Sequence, residues 1–255
     1  MRILKRLGYQ GVALTVDVNH LDPATTSRRK VIRTRRLLES LGLRVAVETG
    51  ARYILDPFRK HQPTLLSRRG WRCRSEFVIH CLELAEGLGA DVVSIWSGTP
   101  DHRIGVRSGM KQLAERCKVL ACEAAARKVK LAFEPEPGMF VDSMSRYQRL
   151  RNQVDHEAFG LTLDLGHLHC MGEVPVIDKL QEFGSELFHI HAEDMVRGVH
   201  EHLPFGRGEM EYGSIIKRLE AMKYSGLLAV ELSRDSHRAV DAATDAIEYL
   251  KKCSS

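Results

Sequence analysis

The sequence predicts an α/β protein, a (β/α)8 TIM barrel that lacks its first strand at the N-terminus. Short apolar runs alternate with longer helical segments, as a parallel sheet with crossover helices requires, and polar residues suited to chemistry follow most of the runs. No linker rich in proline, glycine or serine divides the 255 residues. We therefore expect residues 1–255 to form one domain, a size that barrels of this class commonly reach.

Seven runs are predicted to be strands, each followed by a helix. The first helix is expected to open after Asp22, where Pro23 suits the first helical turn. The predicted strands are 11–16, 44–47, 91–96, 129–133, 160–163, 187–190 and 227–230. The predicted helices are 24–42, 72–88, 107–127, 142–152, 174–184, 212–222 and 236–252.

The number of predicted strands is one short of a closed barrel, which has eight. Residues 3–9 have the character of the last turns of a helix that delivers the chain to the first strand. We expect a further strand before this helix, supplied by sequence upstream of Met1 or by a partner chain, and we favour the first source. An open, doubly wound seven-stranded sheet is the alternative, and the positions of the polar residues favour the barrel.

Composition excludes several classes of protein. With 44% hydrophobic and 28% charged residues, the chain can bury a large core and is not disordered. The net charge is +5, and the basic clusters at 28–30 and 33–36 fall in a predicted helix, which favours a solvated face over nucleic-acid binding. Six cysteines without a C-x-x-C pair fit a reducing compartment, and no run approaches membrane-spanning length. We expect a soluble, cytoplasmic protein without nucleic-acid or membrane partners.

Polar residues directly follow the predicted strands. Parallel strands of a barrel point their carboxyl ends at one face, so these residues are expected to converge on one site. Three carboxylates and one imidazole among them form a ligand set that favours Mn²⁺, Mg²⁺ or Co²⁺, with Zn²⁺ as an alternative. The strand-end residues are Asp17, Glu48, Ser97, Glu134, Asp164, His191 and Glu231, of which Glu134, Asp164, His191 and Glu231 are the predicted metal ligands.

Two residues close to the predicted ligands receive other interpretations. His189 is expected to point toward the helix layer as a packed histidine. Glu136 follows Pro135 and precedes Pro137, so a loop contact is favoured over metal ligation.

Five segments of the chain resemble the metal-binding segments of the xylose isomerase-like TIM-barrel superfamily. They are LAFEPEPG, LDLGHLH, HIHAEDMVRG, HEHLPFGRGEMEY and AVELSR. This superfamily contains sugar isomerases, ketose 3-epimerases, inosose-processing enzymes and endonuclease IV. The resemblance extends from Gly8 to about Leu250, and it is specific as a set rather than in any single motif.

The resemblance to the ketose 3-epimerases implies a role for each predicted ligand. Glu134 and Glu231 are implied to be both metal ligands and the acid/base carboxylates, and Asp164 and His191 complete the metal sphere. The implied enzyme binds one divalent cation. It interconverts sugars, sugar phosphates or cyclitols by moving a proton at a carbon next to a carbonyl, through a metal-stabilised enediolate.

Four further residues are predicted to contact the substrate. The resemblance places His167 and Arg197 at substrate-contacting positions. Glu48 is expected to point inward, where it can hydrogen-bond substrate hydroxyls. Trp96 could pack a sugar face, although core packing is the commoner role of such a tryptophan. A small polyol or sugar is therefore the expected partner, and relatives suggest a homodimer.

Two other functions remain open. Endonuclease IV carries extra histidines after two earlier strands, whereas here residues 48–50 and 96–98 contain none. Its Asp-x-His motif appears here as His200-Glu201-His202, which can chelate a second metal ion or face solvent. An incomplete barrel that binds metal or sugar without turnover is the third function considered.

A long loop, residues 48–72, is rich in basic side chains and follows the second predicted strand. Loops at this face of a barrel carry substrate specificity. The basic residues could hold a phosphate or a carboxylate of the substrate, but a solvated surface is favoured. They are Arg52, Lys60, His61, Arg68 and Arg69.

Overall fold

The computed structural model describes residues 1–254, and all seven predicted strands are present in it as neighbours in one parallel sheet. An antiparallel hairpin that the sequence did not predict lies between the last two of them. In chain order the strands are β1 (Gly11–Thr15), β2 (Arg44–Glu48), β3 (Val92–Trp96), β4 (Lys130–Glu134), β5 (Phe159–Asp164), β6 (Leu187–Ala192), β7 (Asp194–Val196), β8 (Val199–Leu203) and β9 (Leu228–Val230). The hairpin consists of β7 and β8.

Helices follow the strands and cover the outside of the sheet. The first long helix begins later than predicted, because Ser27 caps it by accepting a hydrogen bond from the Lys30 backbone N–H. A short helix directly after β5 was not predicted. The helices are α1 (Arg2–Leu7), α2 (Arg28–Leu41), α3 (Trp71–Leu88), α4 (Val106–Ala126), α5 (Met144–Val154), α6 (Leu165–Cys170), α7 (Val176–Phe183), α8 (Tyr212–Ala221) and α9 (Ala239–Cys253).

The strand order distinguishes the two predicted architectures. The seven parallel strands follow one another as β1-β2-β3-β4-β5-β6-β9, without the reversal of order that a doubly wound sheet has at its switch point. Within residues 1–254, β1 and β9 are the two ends of the sheet and no hydrogen-bonded ladder joins them. The fold is therefore a nearly closed TIM barrel that lacks one strand, as predicted.

The open seam between β1 and β9 continues into an apolar groove. Its volume is about 650 Å³, and α1, α8 and α9 form its outer walls. Val12 of β1 and Leu228 of β9 line it from the sheet. No helix among residues 1–254 is long and apolar enough to cross a membrane.

Alternate residues of the strands fill the interior of the barrel in layers. Ala46, Val92 and Ala132 form a small apolar cluster inside the sheet. One step further along the strands, the buried hydroxyls of Ser94 and Thr162 lie 2.9 Å apart. The next inward residues are the charged ones at the strand ends, because side chains two positions apart point to the same side. The site residues therefore form the last inward layer, at one end of the barrel.

The main core packs between the outer side of the sheet and the helices. Aromatic rings from β4, β5 and α5 meet there, with centroid distances of 5.8 Å between Phe133 and Phe159 and 6.5 Å between Tyr147 and each of them. All three side chains are at most 1% exposed. This packing holds β4 and β5, which both end in a predicted metal ligand.

Candidate active site

The four predicted metal ligands meet at one end of the barrel. Glu134 and Asp164 end β4 and β5, His191 lies near the end of β6, and Glu231 directly follows β9. Their ligand atoms all lie within 4.8 Å of one another. His191 Nδ1 is central, 3.0 Å from an oxygen of Glu134, 3.0 Å from one of Glu231 and 4.0 Å from Asp164 Oδ2. The parallel register explains this meeting, since it aligns Asp164 with His191.

This set of side chains fits a divalent cation. The side chains of Glu134, Asp164 and His191 are at most 7% exposed. Asp164 Oδ2 is buried and accepts no hydrogen bond from residues 1–254. Buried like charges and an unsatisfied carboxylate oxygen are costly unless a cation compensates them. Three oxygen ligands and one nitrogen suit Mn²⁺, Mg²⁺ or Co²⁺, and Zn²⁺ also accepts such ligands.

The protonation preferences of these side chains differ. Burial raises the pKa of Glu134 to about 8, the charges of Glu231 and Asp164 add to this rise, and His191 opposes it. Burial also acts to raise the pKa of Glu231, but the charge of His191 and the hydrogen bond to it outweigh burial and bring that pKa below its ordinary value. One glutamate thus favours the protonated form and the other the ionised form, as is typical of an acid/base pair.

Glu48 holds the far side of the central imidazole. Its Oε1 lies 3.2 Å from His191 Nε2 and 3.1 Å from His189 Nε2. Burial acts to raise the pKa of Glu48, but the charge of His191 and the hydrogen bonds to both histidines lower it to about 2. An ionised carboxylate on Nε2 fixes the ring so that Nδ1 faces the carboxylates, an arrangement common around metal-bound histidines. Glu48 also lines the cavity, and its predicted contact with substrate stays a prediction.

The expectation for His189 is wrong. Its side chain is fully buried beside Glu48 and His191, inside the barrel, and not in the helix layer. Residues two apart on a strand point to the same side, so His189 shares the face of His191. The pairing of His189 with Thr162, whose hydroxyl also lies in the barrel interior, agrees with this placement.

A group of three histidines lies beside the predicted ligands. His200 and His202 share one side of β8 and meet His167 of α6, with His167 Nε2 and His200 Nε2 3.0 Å apart. Ligand atoms of the three rings all lie within 4.8 Å of one another. His167 Nδ1 is 3.7 Å from Glu134 Oε1, so this group adjoins the first site. A second metal ion at His200 and His202 stays a prediction. The structure adds His167 as a third candidate ligand for that ion.

Glu136 belongs to the same region of the site. Its Oε1 lies 3.8 Å from His200 Nε2, and the residue lines the cavity. Burial raises the pKa of Glu136 well above its ordinary value, and the charges of Glu134, Glu231 and Asp164 add to the rise. The loop contact expected from the sequence is therefore a contact with the histidine group.

Sequence reasoning missed one buried carboxyl group, that of Glu193. The residue is 0% exposed, and both of its carboxyl oxygens lack a hydrogen-bond partner within residues 1–254. It lies 3.7 Å from His202 Nδ1 and packs against Gly166, where a Cβ would come within 1.9 Å of its Oε1. The sequence could have predicted this burial, because Glu193 lies two residues after His191. Side chains two positions apart on an extended segment point to the same side, so Glu193 points inward as His191 does.

The two remaining predicted substrate contacts lie in different surroundings. Trp96 is 8% exposed and forms a wall of the cavity, with the His61 ring 4.9 Å from it at 79°. Arg197 is exposed in the turn between β7 and β8, where its guanidinium packs over Gly172. It is not among the cavity-lining residues of the described chain. The structure therefore brings Trp96 to the site and leaves Arg197 outside it, and both substrate contacts stay predictions.

The cavity above the ligands has a volume of about 1050 Å³. Strand ends form its floor, and the loops after β2 and β9 form its sides. Small-molecule sites typically measure about 300–1,000 Å³. The space is therefore ample for a monosaccharide with a substituent.

Replacing Glu48 with Gln is expected to weaken divalent-cation binding about ten- to hundredfold, because the neutral amide no longer holds and polarises the His191 ring. Titration with Mn²⁺ or Co²⁺ measures this change. Glu115→Gln, at a carboxylate whose side chain is 65% exposed on α4, serves as the control and should leave the affinity unchanged. Equal affinities in wild type and Glu48→Gln would contradict the role of Glu48 in positioning His191.

His61 makes stability depend on pH. Burial, with the charges of Lys60, Arg74 and Arg52, lowers its pKa from 6.5 to about 4. Between these values the unfolded chain binds a proton at His61 and the folded chain does not, so stability falls as pH drops from about 6.5 to about 4. Urea unfolding at pH 7 and pH 5 should show a larger loss for wild type than for His61→Gln. Equal losses would contradict the lowered pKa.

Comparison with known proteins agrees with the geometry. The family model of the xylose isomerase-like TIM barrel matches residues 1–253. L-ribulose-5-phosphate 3-epimerase UlaE of Shigella flexneri serotype 5b is 22% identical over 263 residues, which cover 99% of this chain and 86% of the epimerase.

Two solved structures share the fold at low sequence identity. D-psicose 3-epimerase with D-tagatose, from Clostridium cellulolyticum H10, has a TM-score of 0.77 and 16% identity, covering 99% of this chain and 91% of that one. The IOLI protein with a bound zinc atom has a TM-score of 0.74 and 18% identity, covering 99% and 89%. Because the family model matches residues 1–253 and the strand order is that of a barrel, the protein belongs to the xylose isomerase-like TIM barrel family.

Proposed function

We propose that the protein is a divalent-metal-dependent isomerase or epimerase of a sugar, sugar phosphate or cyclitol. One observation carries this proposal: Glu134 and Glu231 each lie 3.0 Å from His191 Nδ1 at the floor of a large cavity. Two carboxylates in this arrangement suit the removal of a proton from a carbon and the return of a proton to it.

Glu134, Asp164, His191 and Glu231 would hold the cation. A bound divalent cation polarises a carbonyl group and stabilises the negative charge that develops on its oxygen. Other contacts hold two of these side chains in place: Glu48 lies against His191 Nε2, and Asp164 accepts a hydrogen bond from the His167 backbone N–H at 2.7 Å. Burial of Glu134, Asp164 and His191 limits the screening of their charges by water.

Proton transfer falls to the two glutamates. One carboxylate takes the proton from the carbon next to the carbonyl, the C–H bond breaks, and its electron pair moves toward the carbonyl oxygen. The other glutamate delivers a proton. Delivery to the opposite face of the same carbon inverts that centre. Delivery to the neighbouring carbon exchanges ketose and aldose when the hydroxyl proton of the first carbon also moves to the former carbonyl oxygen.

The relatives support a small polyol as substrate. UlaE is an L-ribulose-5-phosphate 3-epimerase, and the D-psicose 3-epimerase structure contains D-tagatose. The cavity has room for such a molecule, and its floor is lined by groups that bind hydroxyl and carbonyl oxygens. We expect no nucleic-acid partner, and a homodimer remains an expectation from relatives.

The histidine group favours a second candidate, a hydrolase with several metal ions of the endonuclease IV kind. His167, His200 and His202 could hold an additional ion next to the first site. Against this candidate, Thr49 and Gly50 after β2 and Ser97 and Gly98 after β3 provide no histidine. A barrel that binds metal or sugar without turnover is the third candidate.

Metal content separates the three candidates. Elemental analysis of the purified protein should find about one divalent ion per chain for the isomerase or epimerase, and the content should fall in Asp164→Asn. About three zinc ions per chain would instead favour the nuclease. No bound ion after reconstitution would favour the non-catalytic barrel.

Glu134→Gln and Glu231→Gln should each lower turnover by about 10²–10⁴-fold, because each removes a group that carries the transferred proton. Screening ketoses and inososes in heavy water measures this as deuterium incorporation at the reacting carbon, with Glu115→Gln as the control. Full incorporation in both variants would contradict the two-carboxylate scheme.

A further inference from the structure

The long loop between β2 and α3 contains basic residues with two different surroundings. Arg59 is held by Asp56, with Nε and Oδ2 2.6 Å apart, and Arg69 does not line the cavity. Arg52 and Lys60 do line it. Within residues 1–254, neither of these two side chains makes a hydrogen bond or an ion pair with an acidic group. The loop thus presents two uncompensated cations to the space above the predicted ligands.

Arg52 and Lys60 both lie next to His61 in the loop. The His61 backbone N–H donates a hydrogen bond to the Arg52 carbonyl oxygen at 2.6 Å, and Lys60 directly precedes His61 in the chain. His61 in turn packs against Trp96, and its buried Nδ1 has no hydrogen-bond partner among the described residues. The two cations therefore share one side of the cavity.

The carboxylates that line the cavity contact groups other than Arg52 and Lys60. Glu48, Glu134 and Glu231 lie against His191, and Glu136 lies beside His200. Asp17, at the end of β1, accepts a hydrogen bond from a backbone N–H two residues on. Acidic groups in contact with histidines thus occupy the floor, and unpaired basic groups occupy one wall.

We propose that Arg52 and Lys60 bind an anionic group of the substrate, a phosphate or a carboxylate, at a distance from the reacting carbon. This inference rests on the proposed function and narrows its substrate to an anionic sugar or cyclitol. A guanidinium can bind two oxygens of such a group at once, and an ammonium adds a compact charge. Because Arg52 and Lys60 lie on the loop side of the cavity and Glu134 and Glu231 lie at the strand ends, a substrate bound through its anionic group would point its carbonyl end toward the two glutamates.

The cavity measures about 1050 Å³, at the upper end of the range typical of small-molecule sites, and the loop that carries both cations lines it. The sequence alone favoured a solvated surface for these basic residues. That interpretation does not explain why Arg52 and Lys60, which are unpaired within the described chain, both line the cavity.

Calorimetry tests the inference without requiring turnover. The probes are inorganic phosphate, ribulose 5-phosphate, ribulose and glucuronate, titrated into the cation-loaded protein. Wild type should bind the anionic probes at least about tenfold more tightly than ribulose. Arg52→Gln and Lys60→Gln should each lose about tenfold, and the double variant should lose the preference. Arg69→Gln, in the same loop but outside the cavity, is the matched control and should bind as wild type does.

The outcomes separate this inference from the proposed function. No preference for anions, or a preference that survives in the double variant, overturns the anion site even if ketoses are turned over. An anion preference that depends on Arg52 and Lys60 supports the site even if no ketose or inosose exchanges its proton. Tighter binding of ribulose 5-phosphate than of glucuronate identifies phosphate as the group, and the reverse order identifies carboxylate.

Discussion

The site depends on one electrostatic constraint, the packing of three carboxylates around a single imidazole in a largely dry environment. Glu134, Asp164 and Glu231 approach one another closely enough that each would repel the others if all were ionised. His191 relieves this repulsion, because the surrounding carboxylates outweigh the effect of burial and raise its pKa well above the ordinary value. A divalent cation would relieve it more fully. The constraint explains why this end of the barrel is built from charged residues.

A layer of further polar residues surrounds this centre. On one side Glu48 joins His191 to the buried His189, and on the other the group of His167, His200 and His202 adjoins Glu193. Networks of this kind orient the residues that they contact and tune their basicity. Both carboxyl oxygens of Glu193 lack a hydrogen-bond partner within the described chain. Polar groups on this side of the site are therefore left unsatisfied by the protein itself.

One predicted ligand, Glu231, lies beside the open seam of the barrel and is more exposed than the other three. Glu134, Asp164 and His191 come from adjacent hydrogen-bonded strands, and their side chains are at most 7% exposed. Glu231 follows β9, an end of the sheet, and its side chain is 38% exposed. Of the four predicted ligands, Glu231 is therefore the one most accessible to solvent. The same strand lines both the cavity and the apolar groove, so the seam lies directly beside the candidate site.

The sequence by itself determined the seven strands, their parallel order and the meeting of four strand-end residues, because apolar runs mark the strands and parallel strands of a barrel end at one face. That these four residues bind a metal ion stays a prediction. The two-residue period of a strand also places His189, and by extension Glu193, on the inward side with His191. Only the tertiary structure decided which nitrogen of His191 faces the carboxylates, that Glu48 lies behind it, and that Arg197 lies outside the cavity. Those facts depend on ring orientation, on the β7–β8 pairing and on loop packing, which arise from contacts between residues far apart in the chain.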